Sequence, residues 1–335
     1  MKEAKFYERL ENNQVRCRLC RHECKIPDQG RGICSVRVNK GGVLYSMVYD
    51  RVVSMNVDPI EKKPFFHVMP GSLSFSIATV GCNFSCKNCQ NHSISQPSGA
   101  GPEFPGRFVP AGAIVEAAAD KGCQSIAYTY TEPTIFFELA QDVMKEASKL
   151  GMANVWVTNG FMGTGMLEEC KGLLTAANVD VKSFSDDFYK KICKARLAPV
   201  LENVEKMKKQ GVWVEVTTLI IPGYNDDVGE LADLASWLVS VDPNIPWHVS
   251  RFHPDYQLLD APPTSASTLA RTRDIGRKAG LHHVYTGNLW GDEGENTYCH
   301  VCGTLLVERF GFTVKKNMIE QGHCPSCGAD LPGVW

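Results

Sequence analysis

The chain has 335 residues, 35 of them Lys or Arg and 37 Asp or Glu, for a formal net charge of -2. That length suits one large domain with one or two smaller ones, and the near-neutral charge leaves no basic excess to steer the chain onto nucleic acid or an acidic membrane. No apolar run is long enough for a membrane span, and the opening "MKEAKFYERLENN" lacks a signal peptide's apolar core, so a cytoplasmic chain is expected.

Residues 1–70 form the first expected unit, a small cysteine-rich region. It carries Cys17, Cys20, Cys24 and Cys34, then "GGVLYSMVYDRVVSMNVDPIEKKPFF", which reads as two short strands with turns. Residues 71–291 alternate strand and helix. The strands are "LSFSIATV", "QSIAYTY", "ANVWVT", "NVDVKSF", "VWVEVTTLII", "WHVSRF" and "HHVYTG". Helical stretches such as "PTIFFELAQDVMKEASKLG" and "DVGELADLASWLVSVD" separate them. Pro133 suits a first helical turn, where its missing N–H costs nothing. Gly122, Gly151, Gly211 and Gly280 stand where helices should stop in a left-handed residue. Repeated β–α units predict an α/β fold of parallel strands with helical crossovers. Six or more units curl into a full or partial barrel, whose function gathers at the C-terminal strand ends. Residues 292–335 form the last expected unit, a four-cysteine ribbon.

Fourteen cysteines are many for a reducing compartment, where grouped cysteines hold metal or do redox chemistry. Eleven fall in three groups: the N-terminal four, Cys82 with Cys86 and Cys89, and Cys299, Cys302, Cys324 and Cys327. Cys123, Cys170 and Cys193 stand alone and read as small buried apolar residues.

The middle group, in "TVGCNFSCKNCQNHSIS", follows the first strand of the series. A zinc site takes four ligands and a disulfide two; three thiolates on a cubane iron–sulfur cluster leave one iron open. The spacing C-x3-C-x2-C resembles the signature of the radical S-adenosylmethionine (SAM) superfamily. The resemblance implies a partial (β/α)6, TIM-like barrel holding a [4Fe–4S] cluster on Cys82, Cys86 and Cys89. It also implies that SAM chelates the open iron and is reductively cleaved to a 5′-deoxyadenosyl radical, which abstracts hydrogen from a substrate. The alternative for this triplet is a zinc knuckle completed by His92.

Further positions at strand ends match the same superfamily. "YTYTEP" stands where the family has "GGEP", which implies that Thr131 and Glu132 bind SAM, with Tyr130 in a glycine's place. The rival reading of Glu132 is an acid at a helix N-terminus. "VTNGF" adds Asn159. "DVK" resembles the D-x-K of glycyl-radical activating enzymes, so that Lys182 meets the SAM carboxylate. Asp180 and Lys182 share one side of a strand. Those enzymes have Asp before "TNG", where this chain has Val157. In "PWHVSRFHP", His248 matches a histidine near SAM, with His253 as its competitor and a buried structural role as its alternative. Asn88 fills a position that is often aromatic and packs on the adenine.

The C-terminal group, C-x2-C, 21 residues, C-x2-C, with glycine after each pair, is a zinc-ribbon or rubredoxin-like knuckle for zinc or iron in S4 geometry. The N-terminal group, C-x2-C-x3-C-x9-C, suits zinc or an auxiliary cluster. The order of these features, with "DPIEKKPFFHVMPG" and "TVGCNFSCKNCQN", resembles the radical SAM component of the AmmeMemoRadiSam system, related to pyruvate formate-lyase activating enzymes. That implies Memo-type and Amme-type partners and an electron donor such as ferredoxin or flavodoxin. A glycyl-radical-enzyme activase is the second enzyme reading. A cysteine-rich metal-binding interaction module is the reading of another class, but neither ribbon has the basic, aromatic face it would need.

Overall fold

The computed structural model describes residues 1–96 and 104–335. Eight strands form one sheet whose order follows the chain: β1 (Ser54–Pro59), β2 (Leu73–Ala78), β3 (Ser125–Tyr128), β4 (Ala153–Thr158), β5 (Ala176–Asp180), β6 (Trp213–Ile220), β7 (Trp247–Arg251) and β8 (Val284–Gly287). β2 to β8 run parallel. β1 lies antiparallel on β2, with Ser54 opposite Ala78 and Pro59 opposite Leu73. The edge strands β1 and β8 share no ladder, so the barrel is partial. All seven strands read from the sequence are present. The sheet gains β1 from a segment that the sequence reading assigns to the N-terminal region.

Among the described residues, six helices of six or more residues cross between the parallel strands: α1 (Ala111–Asp120), α2 (Phe137–Lys149), α3 (Thr164–Glu169), α4 (Ala198–Lys209), α5 (Val228–Val241) and α6 (Ala266–Ala279). Pro133 opens a short 3-10 turn, Pro133–Phe136, that leads into α2. Gly122, Gly151, Gly211 and Gly280 all hold positive φ, as a left-handed stop requires.

Alternation along the strands sorts side chains into two layers. Trp156, Val179, Val214, Val216 and Trp247 face outward into a large core with helix residues such as Leu139, Val143, Val204 and Leu234. Ala127, Val155 and Ala176 face inward and meet Ile60, Phe65 and Val68. The segment "PIEKKPFFHV" therefore fills the barrel interior from the side of the strand starts. Burying Phe65 and Val68 there contributes about 1.5–3 kcal/mol each.

Short antiparallel strands build the N-terminal region, Tyr7–Arg9 with Val15–Cys17 and Lys25–Ile26, and Lys2–Glu3 with Val43–Ser46 and Arg37–Lys40. At the other end, Thr297–Tyr298, Leu305–Phe310 and Thr313–Asn317 make a three-stranded ribbon. Arg309 anchors it to the barrel: Nη2 donates to the Phe66 carbonyl at 2.9 Å, and the guanidinium lies 4.2 Å from the Phe66 ring centre. No helix among the described residues is long and apolar enough to cross a membrane.

Candidate active site

Cys82, Cys86 and Cys89 occupy the loop that leaves the C-terminal end of β2. Loop backbone cannot satisfy itself, so neighbouring elements hold it. Gly81 N–H donates to the Ile94 carbonyl at 2.9 Å. Ser85 and Lys87 N–H donate at 3.1 Å to the carbonyls of Cys193 and Ile192, in a π-helical turn over Tyr189–Cys193. Such turns recur at functional sites. Cys86 is buried, and Cys82 and Cys89 are half-buried.

Among the described residues, the C-terminal cysteines are the one group of three or more ligands with atoms all within 4.8 Å of one another. The triplet sulfurs are therefore spread too widely for a single tetrahedral ion, whose sulfurs sit about 3.8 Å apart at a metal–sulfur length near 2.3 Å. His92 does not complete them. Its ring stacks on Tyr256 at 4.5 Å and its Nδ1 faces the Cys89 carbonyl, so the zinc-knuckle alternative lacks its geometry. Three separated thiols fit a polynuclear cluster with an open corner.

Cys193, read as a lone apolar cysteine, stands beside this site. Its thiol acts on the Cys86 sulfur, and this, with Lys182, holds Cys86 below the usual thiol range despite burial. Cys123 and Cys170 are buried, as expected.

Glu132 is 1% exposed and joins two strand ends. One carboxylate oxygen accepts from Thr134 N–H at 3.1 Å and Thr158 Oγ1 at 2.7 Å; the other accepts from Asn159 N–H at 2.8 Å. Burial pushes its carboxyl up against these bonds. Its N-cap role matches the rival reading, while its bond to Asn159 ties it to the cysteine loop. Asn159 Nδ2 donates to Asn83 Oδ1 at 2.7 Å, next to Cys82. Thr131 Oγ1 donates to the Thr79 carbonyl at 2.9 Å.

Tyr130 holds φ 63°, the left-handed region a glycine would take without cost. The Tyr130 hydroxyl donates to Asp58, and the Lys63 ammonium lies 4.1 Å from its ring centre.

Asp180 and Lys182 do share one side: Lys182 Nζ lies 3.0 Å from Asp180 Oδ2. Burial opposes the ammonium charge, but Asp180, Cys86 and Cys193 outweigh it and raise Lys182 well above the usual lysine range. The turn beyond is fixed by Glu230 of α5, whose carboxylate accepts from Phe184 N–H at 2.8 Å. Val157 sits within β4.

His248 is engaged elsewhere. It is 2% exposed, its Nε2 lies 2.6 Å from Glu215 Oε2, and its ring packs on Phe66 and Tyr285. Glu215 also accepts from the N–H groups of Phe66 and His67 at 3.0 and 2.9 Å. The competitor of His248, His253, does reach the cysteine loop, 2.9 Å from Gln90 Nε2. Asn88 is 9% exposed, and its Oδ1 has no partner among the described residues.

The C-terminal cysteines form two matched knuckles. Gly303 and Gly328 N–H donate to the Cys299 and Cys324 carbonyls at 2.9 and 2.8 Å, and both glycines have positive φ. Cys299 and Cys327 sulfurs are 3.7 Å apart, as are those of Cys302 and Cys324. That is the edge of a tetrahedral S4 site. The ion it suits can be zinc or iron.

Comparison with known proteins adds independent support. Residues 76–235 match the family model of the Radical SAM superfamily. An uncharacterized protein of Methanocaldococcus jannaschii is 46% identical over 337 residues, covering 99% of both chains. GTP 3',8-cyclase of Helicobacter pylori is 29% identical over 161 residues, 44% of this chain and 47% of the cyclase. Among solved structures, Streptococcus suis SuiB bound to S-adenosylmethionine superposes with TM-score 0.53 at 12% identity, covering 72% of this chain and 56% of that one. The last likeness is one of fold.

Proposed function

Because the chain belongs to one family with the full-length archaeal relative and carries a radical SAM domain, we propose that this enzyme cleaves SAM reductively at a [4Fe–4S] cluster on Cys82, Cys86 and Cys89. One observation carries the reading. Three thiols stand together after β2, too widely spaced for one ion, with the Lys182 ammonium acting on Cys86 and Cys89. When bound, the cluster supplies the electron that breaks the sulfonium C–S bond and starts hydrogen abstraction from the substrate.

The chain's own part is to bind, orient and shield. The half-buried Lys182 meets the SAM carboxylate, and Asp180 keeps the ammonium charged and aimed. Glu132 and Asn159 hold the backbone facing the cysteine loop, with Thr131 beside them. The unpartnered Oδ1 of Asn88 would be free to accept from the adenine amino group, in place of an aromatic contact. The cysteine loop, pinned by the turn at Cys193, keeps its thiols at fixed separation without help from the metal. The C-terminal knuckle binds zinc or iron and is structural, since all four of its positions are protein sulfurs.

The finer placement is in the AmmeMemoRadiSam system, with Memo-type and Amme-type partners and a ferredoxin or flavodoxin as donor. It rests on "DPIEKKPFFHVMPG" and "TVGCNFSCKNCQN". Anaerobic purification followed by EPR of the reduced protein tests the proposal. An iron–sulfur signal that changes on adding SAM supports it, and a signal indifferent to SAM counts against it.

A further inference from the structure

The four N-terminal cysteines line a single closed pocket with an apolar wall. Its arrangement differs from that of the C-terminal knuckle in the same molecule. There, four sulfurs already stand at the edges of a tetrahedron. Here, no three of the sulfurs of Cys17, Cys20, Cys24 and Cys34 lie mutually within 4.8 Å, although all four face the same space. That spacing is wider than the edge of about 3.8 Å at a single tetrahedral zinc or iron ion.

Two further features belong to this pocket. Gly32 is on its wall, and a Cβ there would lie 3.7 Å from the Cys34 sulfur and 3.9 Å from the Cys24 sulfur. Gly32 is not among the residues with positive φ, so the backbone does not demand glycine. What glycine leaves is room between two sulfurs. Arg37 is also on the wall, 1% exposed. Its Nη2 donates to both Glu138 oxygens at 2.6 Å and its Nη1 to the Lys5 carbonyl at 3.2 Å, while its Nε–H has no partner among the described residues. A buried, unpaired guanidinium N–H is costly unless it meets an acceptor. Sulfide or a coordinated thiolate in the pocket would be that acceptor.

We propose that Cys17, Cys20, Cys24 and Cys34 hold a second iron–sulfur cluster, ligated by protein at every corner, with the Arg37 Nε–H donating to one of its sulfurs. Four thiolates leave no open iron, so this cluster binds no SAM. Its neighbour is the SAM site. His22 Nε2, two residues after Cys20, lies 2.7 Å from the Asn83 carbonyl oxygen. The Cys34 carbonyl oxygen is 2.9 Å from where a Gly81 Cβ would stand. The two cysteine loops therefore touch. The second cluster takes one electron from a low-potential donor and passes one to the first, with no bond made or broken. That role depends on the proposed function above, but the site does not.

The test is iron, sulfide and zinc content of anaerobically reconstituted full-length protein and two variants. The Cys82→Ala/Cys86→Ala/Cys89→Ala variant should retain acid-labile sulfide, about two to four per chain, with at least as much iron and an EPR signal indifferent to SAM. Loss of all sulfide from this variant overturns the proposal. Gly32→Val fills the space between Cys24 and Cys34 without removing a ligand. It should lose the second cluster's iron and keep the SAM-responsive signal, and unchanged iron content overturns the proposal. Failure of the radical SAM reading has another signature, a Gly32→Val protein whose remaining signal ignores SAM.

Discussion

Lys182 Nζ lies 3.0 Å from Asp180 Oδ2 at the end of β5, and its charge is felt by the sulfurs of Cys86 and Cys89. An exposed rim pair would contribute about 0–1 kcal/mol and nothing more. This pair is partly buried beside the cysteine loop. Lys182→Met should leave fold and cluster content intact and weaken SAM binding by roughly 1.5–3 kcal/mol, the range for a hydrogen bond to a charged group. Titrating SAM against the reduced cluster by EPR measures this, and an unchanged midpoint would assign Lys182 to the scaffold.

Cys193 adds a fourth thiol beside the triplet: its carbonyl accepts from Ser85 N–H at 3.1 Å, and its thiol is placed to donate to Cys86. A donor to a ligating sulfur tunes a cluster; a fourth ligand would close the open iron. The account requires the donor role. Cys193→Ala should keep the cluster and its spectral response to SAM while lowering the reduction potential. Loss of the cluster in this variant would make Cys193 a ligand instead.

The buried Glu215 ties the barrel interior to His248 and to the backbone of Phe66 and His67. Burial works to raise its carboxyl, but His248 and those N–H groups prevail and hold it below the usual range. A depressed folded-state value means that its stabilisation is complete above the unfolded pKa near 4.3 and fades as pH falls through the folded value. Glu215→Gln should therefore cost about 3–5 kcal/mol at pH 7, as for a broken buried pair, and progressively less below about pH 4. Urea midpoints at pH 7, 5 and 3.5 give the comparison. A difference that does not vary with pH would contradict this role.

Leu306, Val307 and Leu331, with the inner cysteines and the partly buried Val314, Ile319 and Ala329, form the small core of the C-terminal ribbon. So little apolar area leaves folding dependent on the metal. Cys302→Ser/Cys327→Ser should lose one metal per chain and raise amide exchange at Leu306 and Val307 at least about tenfold, with β6 unaffected. Protection retained without metal would contradict the prediction.

Periodicity and cysteine spacing made much of this molecule legible. All seven parallel strands stood out as short runs bounded by helices. The period of two put Asp180 and Lys182 on one side. The glycines after each C-terminal pair gave the knuckles. What stayed hidden depends on contacts between distant residues. Nothing in "YKKIC" tells that Cys193 meets Cys86, because a π-helical turn makes that contact. From "WHVSRF" His248 reads either as a histidine near SAM or as a buried structural one, and the strand turns it inward onto Glu215. Tyr130 shows no sign in sequence of the left-handed backbone it adopts.

The central claim is that Cys82, Cys86 and Cys89 make the chain cleave SAM. The most direct measurement is 5′-deoxyadenosine formed from SAM by anaerobically reconstituted protein with a strong reductant. The wild-type protein should form it, and the Cys82→Ala/Cys86→Ala/Cys89→Ala variant should form none. Undiminished 5′-deoxyadenosine from the triple variant would contradict the account.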